Sequence, residues 1–325
     1  MLLVQQEEFR LPSVDPAFRH DVLMGLSLPQ KAVPARWFYD HRGSELFEEI
    51  TRLPEYYPTR VETGLLGTIA DEVAEAVGSG RAVVEFGAGS STKTPLLLSA
   101  IAPCAYVPID ISGDFLRQSS AALGERFPGL TVIPVEADFM DEVPLPSLIR
   151  GRQKLGFFPG STIGNMVPSQ AVDLLRTMRG SLGEGAMLLI GMDRIKDAAT
   201  LQAAYDDAAG VTAQFNLNLL YRINRELRGD IPVDHFAHRA LWNARLARIE
   251  MHLEAQRDMD FEIDGRHFHM DAGETIHSEN SHKYGDRDAG VLLSAGGWTV
   301  QRSWTDAGDM FSVYLAEALP QSDAP

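Results

Sequence analysis

The sequence predicts an α/β fold in which a parallel sheet, covered on both faces, is joined by a second, discontinuous α+β domain. Three observations predict it. Between residues 82 and 193, short apolar runs alternate with stretches of helical spacing, as in a parallel sheet whose strands are buried on both sides. A glycine-rich turn joins the first of those runs to the first helical stretch. The flanks lack the alternation: residues 1–60 mix turn signals with aromatic residues, and residues 197–285 pass from helical spacing to strand-like alternation.

Each element follows from its residues. AVVEF (82–86) reads as a buried strand and Thr92 to Ile101 as the helix after the turn. AYVPID (105–110) is a second strand, followed by the helical SGDFLRQSSAALGERF. LTVIPVEA (130–137) reads as a third strand, KLGFFPG (154–160) as a fourth, the segment after Pro168 as a helix and AMLLIGMD (186–193) as a fifth strand. Beyond them, AATLQAAYDDAAG and TAQFNLNLLYRINREL have helical spacing, whereas RIEMHLEAQ and MDFEIDGRHFHM alternate like strands. WTVQRSW and MFSVYLAEAL suit antiparallel strands at a sheet edge. The expected division is a core of residues 61–196 plus 287–325 and a second domain of residues 1–60 plus 197–286.

Composition narrows the function. The 325 residues are 45% hydrophobic and 23% charged, which excludes a disordered or fibrous chain. A net charge of −16 argues against nucleic acid as a partner, because phosphate binding needs clustered Lys and Arg. No apolar run approaches the roughly 20 residues needed to cross a bilayer, so no membrane partner is expected. The N-terminus is acidic where a secretory signal would be basic, and the single cysteine suits a reducing compartment, so a cytoplasmic protein is expected. Cys104, between Pro103 and a strand, reads as a buried filler. Nothing resembles an assembly element, so a monomer is expected.

The turn is Val84-Glu85-Phe86-Gly87-Ala88-Gly89-Ser90-Ser91-Thr92-Lys93. Gly87 and Gly89 let the backbone turn tightly and approach a ligand, and Ser90, Ser91 and Thr92 are candidate helix caps. The free amides of a first helical turn favour an anion, either a dinucleotide pyrophosphate or the methionine carboxylate of S-adenosylmethionine. Two details favour the methyl donor over a nicotinamide cofactor. Thr92 stands where a third glycine would, and Glu85 precedes Gly87 by two positions, giving E-x-G-x-G. Asp110, ending the second strand, is placed for ribose hydroxyls in either cofactor class. Asp138 and Phe139 after the third strand suit adenine, as a carboxylate for the exocyclic amine and a ring to stack. A tight turn with no ligand is the plain alternative.

Four further segments are dense in polar and aromatic residues: LPEYYPTR (53–60), with its tyrosines in a loop, GSTIGN (160–165), YDDAAG (205–210) and SENSHKY (278–284). Singly, each has a plain reading as packing or exposed loop. Together LPEYYPTR, VEFGAGSSTKT, GSTIGN, DRIKD, AYDDAAGVTAQFN, INREL and RIEMHLEA resemble, in order, the histidine Nα-methyltransferases of ergothioneine biosynthesis, from about Trp37 to the C-terminus. The resemblance implies a Rossmann-like S-adenosylmethionine-dependent methyltransferase with a substrate-binding second domain. It also implies three methyl transfers that turn L-histidine into its trimethyl betaine, hercynine.

Carried over, the resemblance implies that Gly87, Gly89, Lys93, Asp110, Asp138 and Phe139 hold the cofactor, with Lys93 near its carboxylate. Tyr56, Asn165 and Tyr205 would fix the amino and carboxylate groups of the substrate, with Tyr39 close to the amine and Tyr39 and Asn165 as the catalytic pair. Glu279 and Ser281 would hydrogen-bond the imidazole, with Met251 packing nearby. One imidazole nitrogen can donate to a carboxylate while the other accepts from a hydroxyl, so this pairing suits the ring. An apolar side chain would leave the carboxylate unpaired. No metal is expected: His267, His269 and His277 lack a third ligand and read as surface or packing residues. Asn280 and His282 differ from other members and bear on the pocket floor. The competing readings are an N-methyltransferase of another amino acid or an indole-containing amine, a nicotinamide-dependent dehydrogenase, and an idle binding protein.

Overall fold

The structure, a computed structural model, describes residues 14–89 and 93–319. The candidate caps Ser90, Ser91 and Thr92 lie outside the described residues, as do the two ends of the chain. In chain order the N-terminal elements are α1 (Pro16–Gly25), β1 (Lys31–Ala32) and α2 (His41–Ile50). Asp15 caps α1 by accepting from Ala17 N (2.8 Å), and Asp40 caps α2 through Gly43 N (2.7 Å). A 3₁₀ turn, Ala35–Phe38, lies between them. α3 (Tyr57–Val77) then runs for 21 residues. The pair Tyr56-Tyr57 is therefore not in a loop: Tyr57 opens the helix, and Pro58 is tolerated in its first turn because that N–H has no helical partner.

The core follows as β2 (Ala82–Phe86), α4 (Thr94–Ile101), β3 (Ala105–Asp110) and α5 (Gly113–Arg126). Next come β4 (Thr131–Val132), β5 (Val135–Glu136), β6 (Lys154–Phe158), α6 (Pro168–Leu182) and β7 (Met187–Asp193). The third strand is thus split in two. Pro134 has no N–H to give the ladder, so bonding to β3 lapses there, after Ile133 N reaches Tyr106 O (2.9 Å), and register pairing resumes at Val135. The second body adds α7 (Ala198–Ala203), α8 (Val211–Leu227), β8 (Phe236–Asn243), β9 (Arg248–Ala255), β10 (Met259–Ile263), β11 (Arg266–Met270) and β12 (Thr275–His282). α7 is shorter than the helical spacing suggested. Asp207 turns back to cap α8, accepting from Val211 N (2.9 Å) and Thr212 N (2.8 Å). The chain closes with α9 (Asp286–Ala295), β13 (Trp298–Thr305) and β14 (Phe311–Ala318).

The main sheet has the order β13-β14-β7-β6-β2-β3-β4, with β5 also paired to β3. β7, β6, β2, β3 and β4 are parallel, and the β13–β14 hairpin adds an antiparallel edge. Apolar clusters cover both faces. One centres on Phe86, Phe158, Leu188 and Trp298, the other on Leu66, Ile69, Leu155 and Phe311. Full burial of each such side chain is worth about 1.5–3 kcal/mol. A third cluster joins Phe18, Phe38 and Ile50 to Phe215, Leu219, Leu253 and Ile276, so the N-terminal helices share a core with α8 and the second sheet. That sheet has the order β1-β12-β9-β8. Cys104 is exposed rather than a buried filler, since it lies in the turn before β3 instead of in the strand.

Candidate active site

The carboxyl ends of β2, β3 and β6 open into a cavity of about 790 Å³. Its other wall comes from the second body: Tyr39, Phe47, Tyr56, His277, Glu279 and Asn280. This is the sheet edge at which open α/β folds bind ligands.

On the core side the backbone is shaped for close approach. Gly87 (φ 70°) and Gly89 (φ 48°) occupy the left-handed region that favours glycine. A Cβ on Gly87 would sit 3.4 Å from the Phe139 ring, so glycine keeps that ring close to the turn. Asp110 accepts from Gly89 N (3.0 Å) and Ser112 N (2.9 Å), which locks the turn to the next strand. Asp138 accepts from Met140 N (2.9 Å) and pairs with Arg36 (3.1 Å), while Phe139 meets Phe158 edge-on at 5.7 Å. Gly87, Gly89, Lys93, Asp110, Asp138 and Phe139 all line the cavity.

Two carboxylates here act within the protein. Glu85 accepts from Tyr106 Oη (2.6 Å) and Thr94 Oγ1 (2.7 Å), tying β2 to β3 and to the start of α4. Burial pushes its carboxyl up to about 7, against those two hydrogen bonds. Glu62 on α3 pairs with Lys93 and accepts from Gly160 N (2.8 Å). Sequence reasoning missed Glu62. Its signal was a lone carboxylate on the helix face that also carries Leu65, Leu66, Ile69 and Val73.

On the substrate side, aromatic contacts set the tyrosines. Tyr39 meets Phe47 (5.7 Å) and Phe215 (5.8 Å), and Tyr56 meets Tyr205 at 6.0 Å. Burial, reinforced by neighbouring tyrosines and Glu279, pushes the phenols of Tyr39 and Tyr56 well above their ordinary range, so both keep their protons. Asn165 ends the 3₁₀ turn Thr162–Asn165, which starts from Ser161 in the left-handed region (φ 57°). Ser161 Oγ accepts from Asp193 N (2.9 Å), and the turn packs on β12, where His282 Nδ1 lies 2.9 Å from Gly164 O. His282 therefore braces the turn that presents Asn165.

Glu279 lines the cavity, and burial, partly opposed by Lys283, pushes its carboxyl up to about 8. Among the described residues no hydrogen bond or ion pair reaches the Glu279 carboxyl. Met251 lies opposite Glu279 on β9, and Tyr205 Oη lies 2.7 Å from Ser281 Oγ. Met251, Tyr205 and Ser281 stand behind the lining residues. The polar run 278–284 is a buried strand end and not an exposed loop: Ser278, Ser281, His282 and Lys283 are buried because they face partners in β9, in the turn after α7, in the Thr162–Asn165 turn and in β7. Of the three histidines, His267 and His269 sit on the exposed hairpin of β10 and β11, His269 between Asp260 (2.9 Å) and Asp271 (3.1 Å). His277 stacks on His252 at 4.6 Å and also lines the cavity.

Known proteins agree with this architecture. The profile of a family described as histidine-specific, S-adenosylmethionine-dependent methyltransferases matches residues 18–318. The histidine N-alpha-methyltransferase of Mycobacterium tuberculosis is 42% identical over 311 residues, 92% of this chain and 94% of that protein. Its counterpart from Mycolicibacterium smegmatis is 40% identical over 310 residues, 94% and 96% of the two chains. The 4-dimethylallyltryptophan N-methyltransferase of Epichloe festucae var. lolii is similar at 25% identity over 333 residues, 93% of this chain and 95% of that one. With a matched profile over residues 18–318 and relatives at 40–42% identity over more than nine-tenths of each chain, the chain belongs to the S-adenosylmethionine-dependent, histidine-specific methyltransferases.

Proposed function

We propose that the enzyme methylates the α-amine of free L-histidine three times, giving the trimethyl betaine hercynine, the first step towards ergothioneine. The observation that carries this reading is the Glu279 carboxyl, half-buried in the cavity wall with no partner of its own among the described residues, so that a ligand in the cavity would complete its burial. A buried carboxyl needs a donor, and an imidazole N–H supplies one. An indole also has a donor but no ring acceptor for the Ser281 hydroxyl beyond it, which favours histidine over the indole-containing alternative.

The core side of the cavity fits S-adenosylmethionine. The glycine turn leaves room for close approach, and Phe139 offers a ring beside it. At about 790 Å³ the cavity is large enough for a cofactor and a small substrate together. In this reading Lys93 and the Gly87–Gly89 turn hold the methionine end, Asp110 the ribose, and Asp138 and Phe139 the adenine. When bound, the cofactor supplies a methyl group already made electrophilic by its sulfonium. The chain's share is position and an unprotonated amine. Tyr39 and Tyr56 remain neutral phenols, so their oxygens can accept amine N–H bonds and aim the lone pair, while Asn165 fixes the substrate carboxylate.

We assign cofactor binding to residues 61–196 plus 287–325 and substrate binding to residues 1–60 plus 197–286. The separate apolar clusters of the two bodies support that division. A monomeric cytoplasmic enzyme completes the proposal, supported by its single cysteine and net charge of −16. The experiment is mass spectrometry of products formed with S-adenosylmethionine and each of the twenty amino acids. A gain of three methyl groups on histidine alone is the expected result; methylation of another amino acid would overturn the assignment of Glu279 and Ser281.

A further inference from the structure

Glu62 is a buried carboxylate that the reading above leaves without a task. It lies on the second turn of α3, its side chain is 1% exposed, and it does not line the cavity itself. The fold makes room for it. A Cβ on Gly191, in the buried strand β7, would lie 2.0 Å from Glu62 Oε1 and 3.0 Å from its Cδ, so a glycine is needed there to admit the carboxylate. Gly160 N then donates to both of its oxygens, at 2.8 and 3.0 Å. A carboxylate is costly to bury unless it is paired and hydrogen-bonded. Here it is both, because its other partner is the Lys93 ammonium.

Lys93 is the end of this pair that faces the cavity. Glu85 beside it feels both charges. After burial and its two hydroxyl donors, Lys93 pulls the Glu85 carboxyl down and Glu62 pushes it up. Among the described residues the cavity wall carries one other Lys or Arg, Arg36, and that guanidinium pairs with Asp21 (2.8 Å) and Asp138 (3.1 Å). Each such cation in the wall therefore has its own carboxylate.

The chemistry of the cofactor gives that pairing a use. S-adenosylmethionine carries a carboxylate, an ammonium and a sulfonium, hence one net positive charge. Once the methyl group has left, the sulfur is a neutral thioether and S-adenosylhomocysteine has no net charge. Both forms keep the carboxylate. A lone ammonium in the wall would attract that carboxylate in either form but repel the sulfonium in one, and so would favour the spent form. We propose that Glu62 is a positioning residue that holds Lys93 at the cofactor carboxylate and cancels its charge, so that the site does not favour the thioether over the sulfonium. The inference rests on the methyl-donor reading of the cavity. Three transfers to one histidine make the exchange recur, since a neutral thioether must give way to a cationic sulfonium before each new transfer.

The test is calorimetric titration of native protein and variants with S-adenosylmethionine and with S-adenosylhomocysteine, in the absence of histidine. The readout is the ratio of the two dissociation constants, which a loss shared by both ligands does not move. Glu62→Gln should shift the ratio towards S-adenosylhomocysteine about tenfold, the order of one uncompensated charge in the site. Lys93→Met removes a carboxylate contact from both ligands and should shift the ratio the other way, because Glu62 then stands alone. Glu62→Gln combined with Lys93→Met leaves no lone charge and should bring the ratio back to within about twofold of native. Thermal unfolding checks that each variant is folded; if Glu62→Gln alone is not, the opposite shift in Lys93→Met and its reversal in the double variant carry the test. Variants that weaken both ligands alike and leave the ratio at its native value would overturn the inference, because Glu62 would then be a brace only. Native protein that binds neither ligand would overturn the methyl-donor reading of the cavity instead.

Discussion

Glu279 concentrates the site's specificity in one residue. Glu279→Ala should raise KM for histidine about a hundredfold and leave S-adenosylmethionine affinity within about twofold, measured by steady-state kinetics and calorimetry. A charge-assisted hydrogen bond is worth about 1.5–3 kcal/mol, and the unpaired imidazole donor adds to the loss. The same carboxyl makes stability depend on pH. Burial lifts it from an ordinary 4.5 to about 8. Its neutral form therefore suits the folded state, and its contribution is fully present below the unfolded value and lost as pH rises through the folded one. In ligand-free protein, Glu279→Gln should raise Tm at about pH 8 and change it little at about pH 4.5. A Tm difference that is equal at both pH values would show that Glu279 does not titrate in this way. The sequence singled out Glu279 through a resemblance; that its carboxyl lacks a partner was not legible, because partners are a matter of packing.

At the scale of elements, the turn Thr162–Asn165 is held against β12 by a lack of side chain. A Cβ on Gly164 would lie 2.8 Å from His282 O, a backbone atom that cannot swing aside. Gly164→Ala should push the turn off β12, cost about 1–3 kcal/mol of stability and lower kcat roughly tenfold through displaced Asn165. Thermal unfolding and turnover on histidine measure the two effects; an unchanged kcat would separate Asn165 from the chemistry. The parallel strands β2, β3, β6 and β7 were readable because each is a short apolar run whose every residue, or nearly so, is buried. β12 was not. Its polar sequence looks solvated until Lys283, Ser281 and His282 are seen to meet partners from β7, the turn after α7 and the Thr162–Asn165 turn.

At the scale of the molecule, Asp193 joins the two bodies. Its carboxylate accepts from Tyr57 Oη (2.7 Å) at the start of α3, from Lys196 (2.6 Å) before α7 and from Lys283 (2.8 Å) after β12. Asp193→Asn would leave two lysines buried without a counter-charge. Breaking a buried pair in this way costs about 3–5 kcal/mol, so Tm should fall by several degrees. Differential scanning calorimetry tests this, and a Tm within about 1 °C of native would show that the network is not a brace.

The sequence by itself determined the α/β class, the glycine turn and, through seven ordered blocks, the family. Those features are local: strand burial, turn chemistry and helix starts depend on residues a few positions apart. Only the tertiary structure decided which polar groups are paired. It placed Glu62 on Lys93, Arg36 on Asp138 and Lys283 on Asp193 and Tyr205, partners separated by 31 to 102 positions. It also moved Cys104 to the surface and His277 into the cavity wall. The reason is physical: a buried polar side chain is set by whichever group packing brings within about 3 Å, and no local pattern encodes that choice.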